Sequence, residues 1–153
     1  MNNIPRAEVL RRLNNIYLQI PPFECKHCQR CSNPIFWFYP EELNIRTYLN
    51  QYHLLYMTYS EEEFKHHHMK CPYLSENRCQ IYPVRPIICR LQGIIPELYC
   101  PNNTKPLLSQ DQYKKIIKGF NDLLRDTDGM NEVFSTRKEI HYKDVSLTKM
   151  LNK

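Results

Sequence analysis

Cys25-Lys26-His27-Cys28-Gln29-Arg30-Cys31 is the stretch on which the reading of this chain turns. Each Cys-x-x-Cys step lets one tight turn aim two sulfurs at a common point, so three thiolates converge without help from the rest of the fold. A fourth ligand has to come from elsewhere. The sequence offers Cys71, Cys79, Cys89 and Cys100, so all seven cysteines of the 153-residue chain read as metal ligands. An odd number of cysteines, spaced this way and with no export signal, points to thiols kept for metal in a reducing compartment rather than paired as disulfides. The cytoplasm is the expected location.

Before the triple, Val9, Leu13, Ile16, Tyr17 and Ile20 recur at three- and four-residue steps, which predicts an amphipathic helix stopped by Pro21-Pro22. After it, Ile35-Phe36-Trp37-Phe38-Tyr39 predicts a short buried strand or an aromatic wall, read first as core or a dry cover for the site and second as a docking or base-stacking surface. Pro40-Glu41-Glu42 starts a helix expected to run to roughly Met57. Ser60 to Glu63 forms a capping box for another short helix, ending near His66-His67-His68.

From Cys71 to Cys100 the prolines at 72, 83, 86 and 96 interrupt regular structure, with Pro86 expected to open one helical turn carrying Ile87, Ile88, Cys89 and Leu91. Ser109 with Gln112 opens the strongest late helix, whose apolar stripe is Tyr113, Ile116, Ile117, Phe120, Leu123 and Leu124, and Asp128-Gly129 ends it. Beyond it, Ile140 to Val145 reads as a strand and Ser146 to Leu151 as a last turn. The expected architecture is mainly α. It is a single domain over 1–153 with a metal-organised, irregular, cysteine-rich middle flanked by helices, a motif region of about 25–100 and a helical C-terminal extension of about 107–153.

With 42% hydrophobic and 24% charged residues, the composition is that of a folded domain rather than a disordered one. The net charge of +5 divides into +2 before residue 61, zero from 61 to 101, and +3 beyond. Four thiolates around a divalent metal or an oxidised 4Fe-4S core carry about −2, so the loaded chain would be only mildly basic. No dense Lys/Arg stripe argues for nucleic acid as the main partner. The longest apolar run, five residues at Ile35 to Tyr39, excludes a spanning helix in the sequence. The expected partners are a metal ion or cluster, and after that another protein.

The stretch Cys71-Pro-Tyr-Leu-Ser-Glu-Asn-Arg-Cys79-Gln-Ile-Tyr-Pro-Val-Arg85-Pro-Ile-Ile-Cys89-Arg90 resembles the signature of the YkgJ-type cysteine-cluster proteins, a family described as zinc- or iron-chelating. Members carry an early Cys-x-x-Cys-x-x-Cys-Cys, then Cys-Pro-x-Leu, Cys-x-Ile-Tyr, Arg-Pro-x-x-Cys-Arg and a later cysteine. Cys25, Cys28 and Cys31 match the early element, Cys71, Cys79 and Cys89 the middle ones, and Cys100 the late one. Ser32 stands where the family has an eighth cysteine. The resemblance implies chelation. Related cysteine clusters in flagellin lysine methylases give methyl transfer as a weaker reading, against which stand the short chain and the lack of a glycine-rich nucleotide loop.

Eight thiolates serve two four-coordinate sites, whereas seven serve one complete site and one with three sulfurs and an opening. The triple plus one remote cysteine echoes ferredoxin-type 4Fe-4S binding, in which a distant Cys-Pro supplies a ligand, and Cys71-Pro72 and Cys100-Pro101 both have that form. Radical-SAM chemistry is disfavoured by the two-residue first gap. Zinc is the alternative, as a closed and redox-silent module for protein or nucleic-acid interaction, although only one Cys-x-x-Cys knuckle is present. His66, His67 and His68 point in three directions on a helix and read as a solvated turn, while His27 is expected to face outward and His53 to lie on a helix surface. Arg85 and Arg90 lie inside the matched motif and are expected beside the ligands, offsetting the charge of the bound cofactor and raising the potential of a cluster. No Ser-His-Asp order, phosphate loop, glycosidase carboxylate pair or His-Glu-x-x-His stands out, and Glu61, Glu62 and Glu63 are a solvated helix start.

Overall fold

The computed structural model describes residues 4–23, 34–98, 100, 105–129 and 131–139. The first helix, α1 (Arg6–Leu18), follows Pro5 and buries Val9, Leu13, Ile16 and Tyr17, the stripe that the spacing predicts. β1 (Phe36–Phe38) leads directly into α2 (Tyr39–Gln51), with Pro40 in the first turn, where its missing N–H costs nothing. α3 (Glu61–His66) opens with the expected capping box: Glu63 N–H donates to Ser60 Oγ at 3.1 Å and Ser60 N–H donates to the Glu63 carboxylate at 3.2 Å. Then come β2 (Leu74–Ser75), β3 (Arg78–Cys79), a 3-10 turn at Tyr82–Val84, α4 (Ile87–Leu91) and a second 3-10 turn at Pro96–Leu98. α5 (Gln110–Asp126) repeats the capping box at Ser109 and Gln112 and buries its whole predicted stripe, and β4 (Val133–Ser135) follows it.

Helices carry most of this regular structure, in keeping with a mainly α reading. α1 packs on α2 and α5, while α4 packs on β1. One apolar cluster runs from Val9 to Val133 and encloses Trp37, Tyr73, Ile81, Ile87 and Phe120. Phe36, Trp37 and Phe38 are buried in it, so they act as core, whereas Tyr39 turns outward. β1 is held by antiparallel pairing with β4, Trp37 opposite Phe134. Below this pair Glu42, itself buried, accepts from Trp37 Nε1 at 3.0 Å, the Tyr56 hydroxyl at 2.9 Å and Arg46 Nε at 2.9 Å, so the charge is fully compensated. No described helix is long and apolar enough to cross a membrane.

Three expectations change. α2 ends at Gln51 rather than near Met57, because His53 turns left-handed at φ 54° and Leu54 N–H closes back on Leu49 O at 2.9 Å. Residues 74–79 form a hairpin, β2 against β3 with Leu74 opposite Cys79, turned by Glu76 and Asn77, both at positive φ as a type I′ turn requires. A strand forms at Val133–Ser135, where the sequence carries no clear alternation. The strand and turn expected at 140–145 and 146–151 lie outside the described residues, as do Cys25, His27, Cys28, Cys31 and Ser32.

Candidate metal centre

The four described cysteines are free thiols. Cys71 follows α3, Cys79 ends the hairpin, and Cys89 is the middle residue of α4. The hairpin returns Cys79 toward the segment that starts at Cys71, and Gln80 N–H donates to Tyr73 O at 2.9 Å to lock that return. The three thiols feel one another: Cys71 and Cys79 both disfavour ionisation of Cys89, and Cys79 does the same to Cys71.

Burial dominates all three. It pushes the Cys71 thiol up to about 12 and raises Cys79 and Cys89 as well. Against burial, the Tyr73 N–H donates to the Cys71 sulfur and the Ile81 N–H to the Cys79 sulfur, each from two residues further on. A backbone N–H aimed at sulfur stabilises the thiolate, the form that binds metal. The contacts beside the hairpin thus partly oppose the effect of burial on two half-buried cysteines.

The two motif arginines have different surroundings. Arg85 favours ionisation of both Cys79 and Cys89, and its guanidinium is fixed over the Tyr82 ring at 3.8 Å and by Nε donating to Tyr82 O at 3.0 Å. Arg90 staples the loop ahead of α4, donating Nε to Arg85 O and Nη2 to Pro83 O, each at 2.8 Å. Its charged group lies over the Tyr17 ring at 3.8 Å, and Tyr17 and Glu41 both favour its charge against burial.

Glu41 went unnoticed in the sequence, where Pro40-Glu41-Glu42 reads as an ordinary acidic helix start. It is fully buried. Its Oε2 accepts the Tyr17 hydroxyl and, at 2.5 Å, the Ile87 N–H, while Oε1 has no hydrogen-bond partner among the described residues. Burial raises this carboxyl to about 7, against the pull of the Tyr17 and Ile87 hydrogen bonds and of Arg90. The signal available was position: both glutamates follow the buried run Phe36–Phe38, so the first turn of α2 starts inside the core.

Cys100 is buried, beside Gly93. A Cβ added to Gly93 would lie 2.9 Å from Phe23 Cζ and 3.2 Å from Cys100 Cβ, so the ring two positions before Cys25 and the last cysteine pack on one glycine. His66, His67 and His68 are exposed, with His67 stacked on Tyr59 at 4.6 Å, which fits the solvated turn. His53 is exposed at the end of α2. Among the described residues, no group of three or more Cys, His, Asp or Glu side chains is placed to hold a metal ion.

The model of the CxxCxxCC family, described as a "Putative zinc- or iron-chelating domain", matches residues 24–116. That span is more than half of the chain and contains all seven cysteines, and the chain belongs to this family. Membership supports metal chelation by the cysteine cluster and leaves zinc and iron side by side. No curated protein and no solved structure matches the chain. The comparisons lend the methyl-transfer reading no support.

Proposed function

We propose that this chain is a single metal-organised domain that binds a 4Fe-4S cluster through Cys25, Cys28 and Cys31 together with a remote cysteine, with Cys71, Cys79, Cys89 and Cys100 as the remote candidates. The observation that carries the reading is the match of a zinc- or iron-chelating family over residues 24–116, the span that holds all seven cysteines. The donor set fits a thiophilic metal: soft, half-buried sulfurs, with amide donors and one guanidinium that favour thiolate charge. Among the described residues no group of three or more donors is placed to hold a metal ion, and in this reading the triple supplies the missing ligands. Its two-residue gaps and the distant Cys-Pro steps favour the cluster. Arg85, fixed beside Cys79 and Cys89, would offset the negative charge of the loaded site, and Arg90 would act one layer further back. A reducing compartment, with the cytoplasm as the proposed setting, keeps these thiols available.

The shielding of the sulfurs also suits closed structural zinc, a scaffold that would present a surface to a protein partner. Anaerobic purification followed by metal analysis and a visible spectrum separates the two. A brown chain with acid-labile sulfide and about four irons supports the cluster, and a colourless one with stoichiometric zinc supports the scaffold. A chain that retains neither metal, and takes up neither on reconstitution, overturns both.

A further inference from the structure

The helix that carries Cys89 is five residues long and cannot fix its own start. Pro86 at its N-cap has no side-chain acceptor, so the first N–H groups of α4 have no local cap. The acceptor comes from α2 instead: Glu41 Oε2 takes the Ile87 N–H at 2.5 Å, across 46 positions of sequence. That oxygen is itself held by the Tyr17 hydroxyl from α1. A rigid path therefore runs from the core of the α1–α2 pair to Ile87 and, two residues on, to Cys89.

We propose that Glu41 is the residue that positions Cys89 for metal binding, acting through the Ile87 N–H that it accepts. The inference rests on the reading of Cys89 as a ligand. Metal sites demand that ligand atoms be held within a few tenths of an ångström, and partners one layer behind the ligands typically change metal affinity about 10- to 100-fold. Within this network Arg90 braces the loop before α4, and Glu41 adds a hydrogen bond from α2 to a helix start whose Ile87 side chain is itself packed in the core. The buried oxygen of Glu41 is the cap that the sequence around Pro86 cannot provide.

The test uses the reduced full-length chain with cobalt(II) as the probe, reading the ligand-field bands, the sulfur-to-cobalt charge-transfer intensity and the affinity in competition with zinc. Cys89→Ser is expected to lose part of the charge-transfer intensity. Glu41→Ala is expected to weaken binding about tenfold or more and to shift the ligand-field bands. Glu41→Gln, whose amide oxygen still accepts the Ile87 N–H, is expected to restore the wild-type spectrum. Leu123→Ala, in the α5 part of the core, serves as the stability control: it melts lower with the spectrum unchanged. A Glu41→Ala chain with wild-type spectrum and affinity, while Cys89→Ser differs, overturns the positioning role alone. A Cys89→Ser chain that also matches wild type removes the ligand reading and the inference with it. Should Glu41→Ala fail to fold, Glu41→Asp takes its place, keeping the charge but falling one methylene short of Ile87, and a wild-type signature there overturns the proposal.

Discussion

The Tyr73 N–H points back at the Cys71 sulfur, and eight residues later the Ile81 N–H stands in the same relation to Cys79. Both contacts arise because the chain turns sharply just after each cysteine, first into the hairpin and then into the 3-10 turn at Tyr82–Val84. An amide donor helps a sulfur only when that sulfur carries charge. Burial disfavours the charged form of both thiols, and the two amide contacts work against it.

Cys28→Ser is expected to abolish metal retention and to loosen the segment from Cys71 to Cys100. Thiolate metal can contribute on the order of 10 kcal/mol to folding, so the melting temperature of the loaded chain is expected to fall to that of the metal-free one. Cys100→Ser is expected to be milder, with partial loss of metal. Metal content per chain and thermal melts check both, and equal loss from the two variants would mean that all seven sulfurs act together.

Glu41 gives the metal-free chain a pH dependence of defined sign. Its folded pKa is raised from 4.5 to about 7, so its contribution to stability is complete below about 4.5 and is lost as the pH rises through 7. A rise of roughly 2.5 units corresponds to about 3 kcal/mol at most. Denaturant unfolding of wild type and Glu41→Gln across that window is expected to show wild type losing stability relative to the amide. Parallel curves would rule the effect out.

Gly93→Ala is expected to destabilise the fold by roughly 1–3 kcal/mol. Gly93 sits at φ 81°, and an added methyl would press on the Phe23 ring and the Cys100 Cβ. Because Phe23 lies just ahead of the triple, metal content is expected to fall along with stability. Urea unfolding and metal analysis on one preparation check the two effects together.

His53→Gly is expected to stabilise the chain by about 0.5 kcal/mol, since a left-handed position costs an L side chain more than glycine loses in entropy. His53 is exposed and no ligand role is assigned to it. Chemical denaturation suffices, and unchanged metal binding is expected.

What could be read from the sequence followed from spacing. The stripes of α1 and α5 and the capping boxes at Ser60 and Ser109 are local patterns, and each forms where expected. The stops were harder, because a chain with three glycines also bends at His53, His68, Met69 and Glu76, residue types that give weak turn signals. The pairing of β1 with β4 is long-range and leaves no mark in either short segment. At the site, cysteine spacing and the motif identified the ligand candidates. It could not identify Glu41, whose role depends on where α2 starts relative to α4, nor separate Arg85 from Arg90, whose neighbours are set by the turn between them.

The pairing of β1 with β4 also bears on synthesis. Ile35 O receives the Ser135 hydroxyl across 100 positions of sequence. During translation at roughly 5–20 residues per second, the Phe36-Trp37-Phe38 strand emerges several seconds before its partner exists. For that interval the nascent chain exposes its stickiest edge, and any early helper, whether a chaperone or metal delivered to the first cysteines, acts on a molecule whose lid has yet to be made.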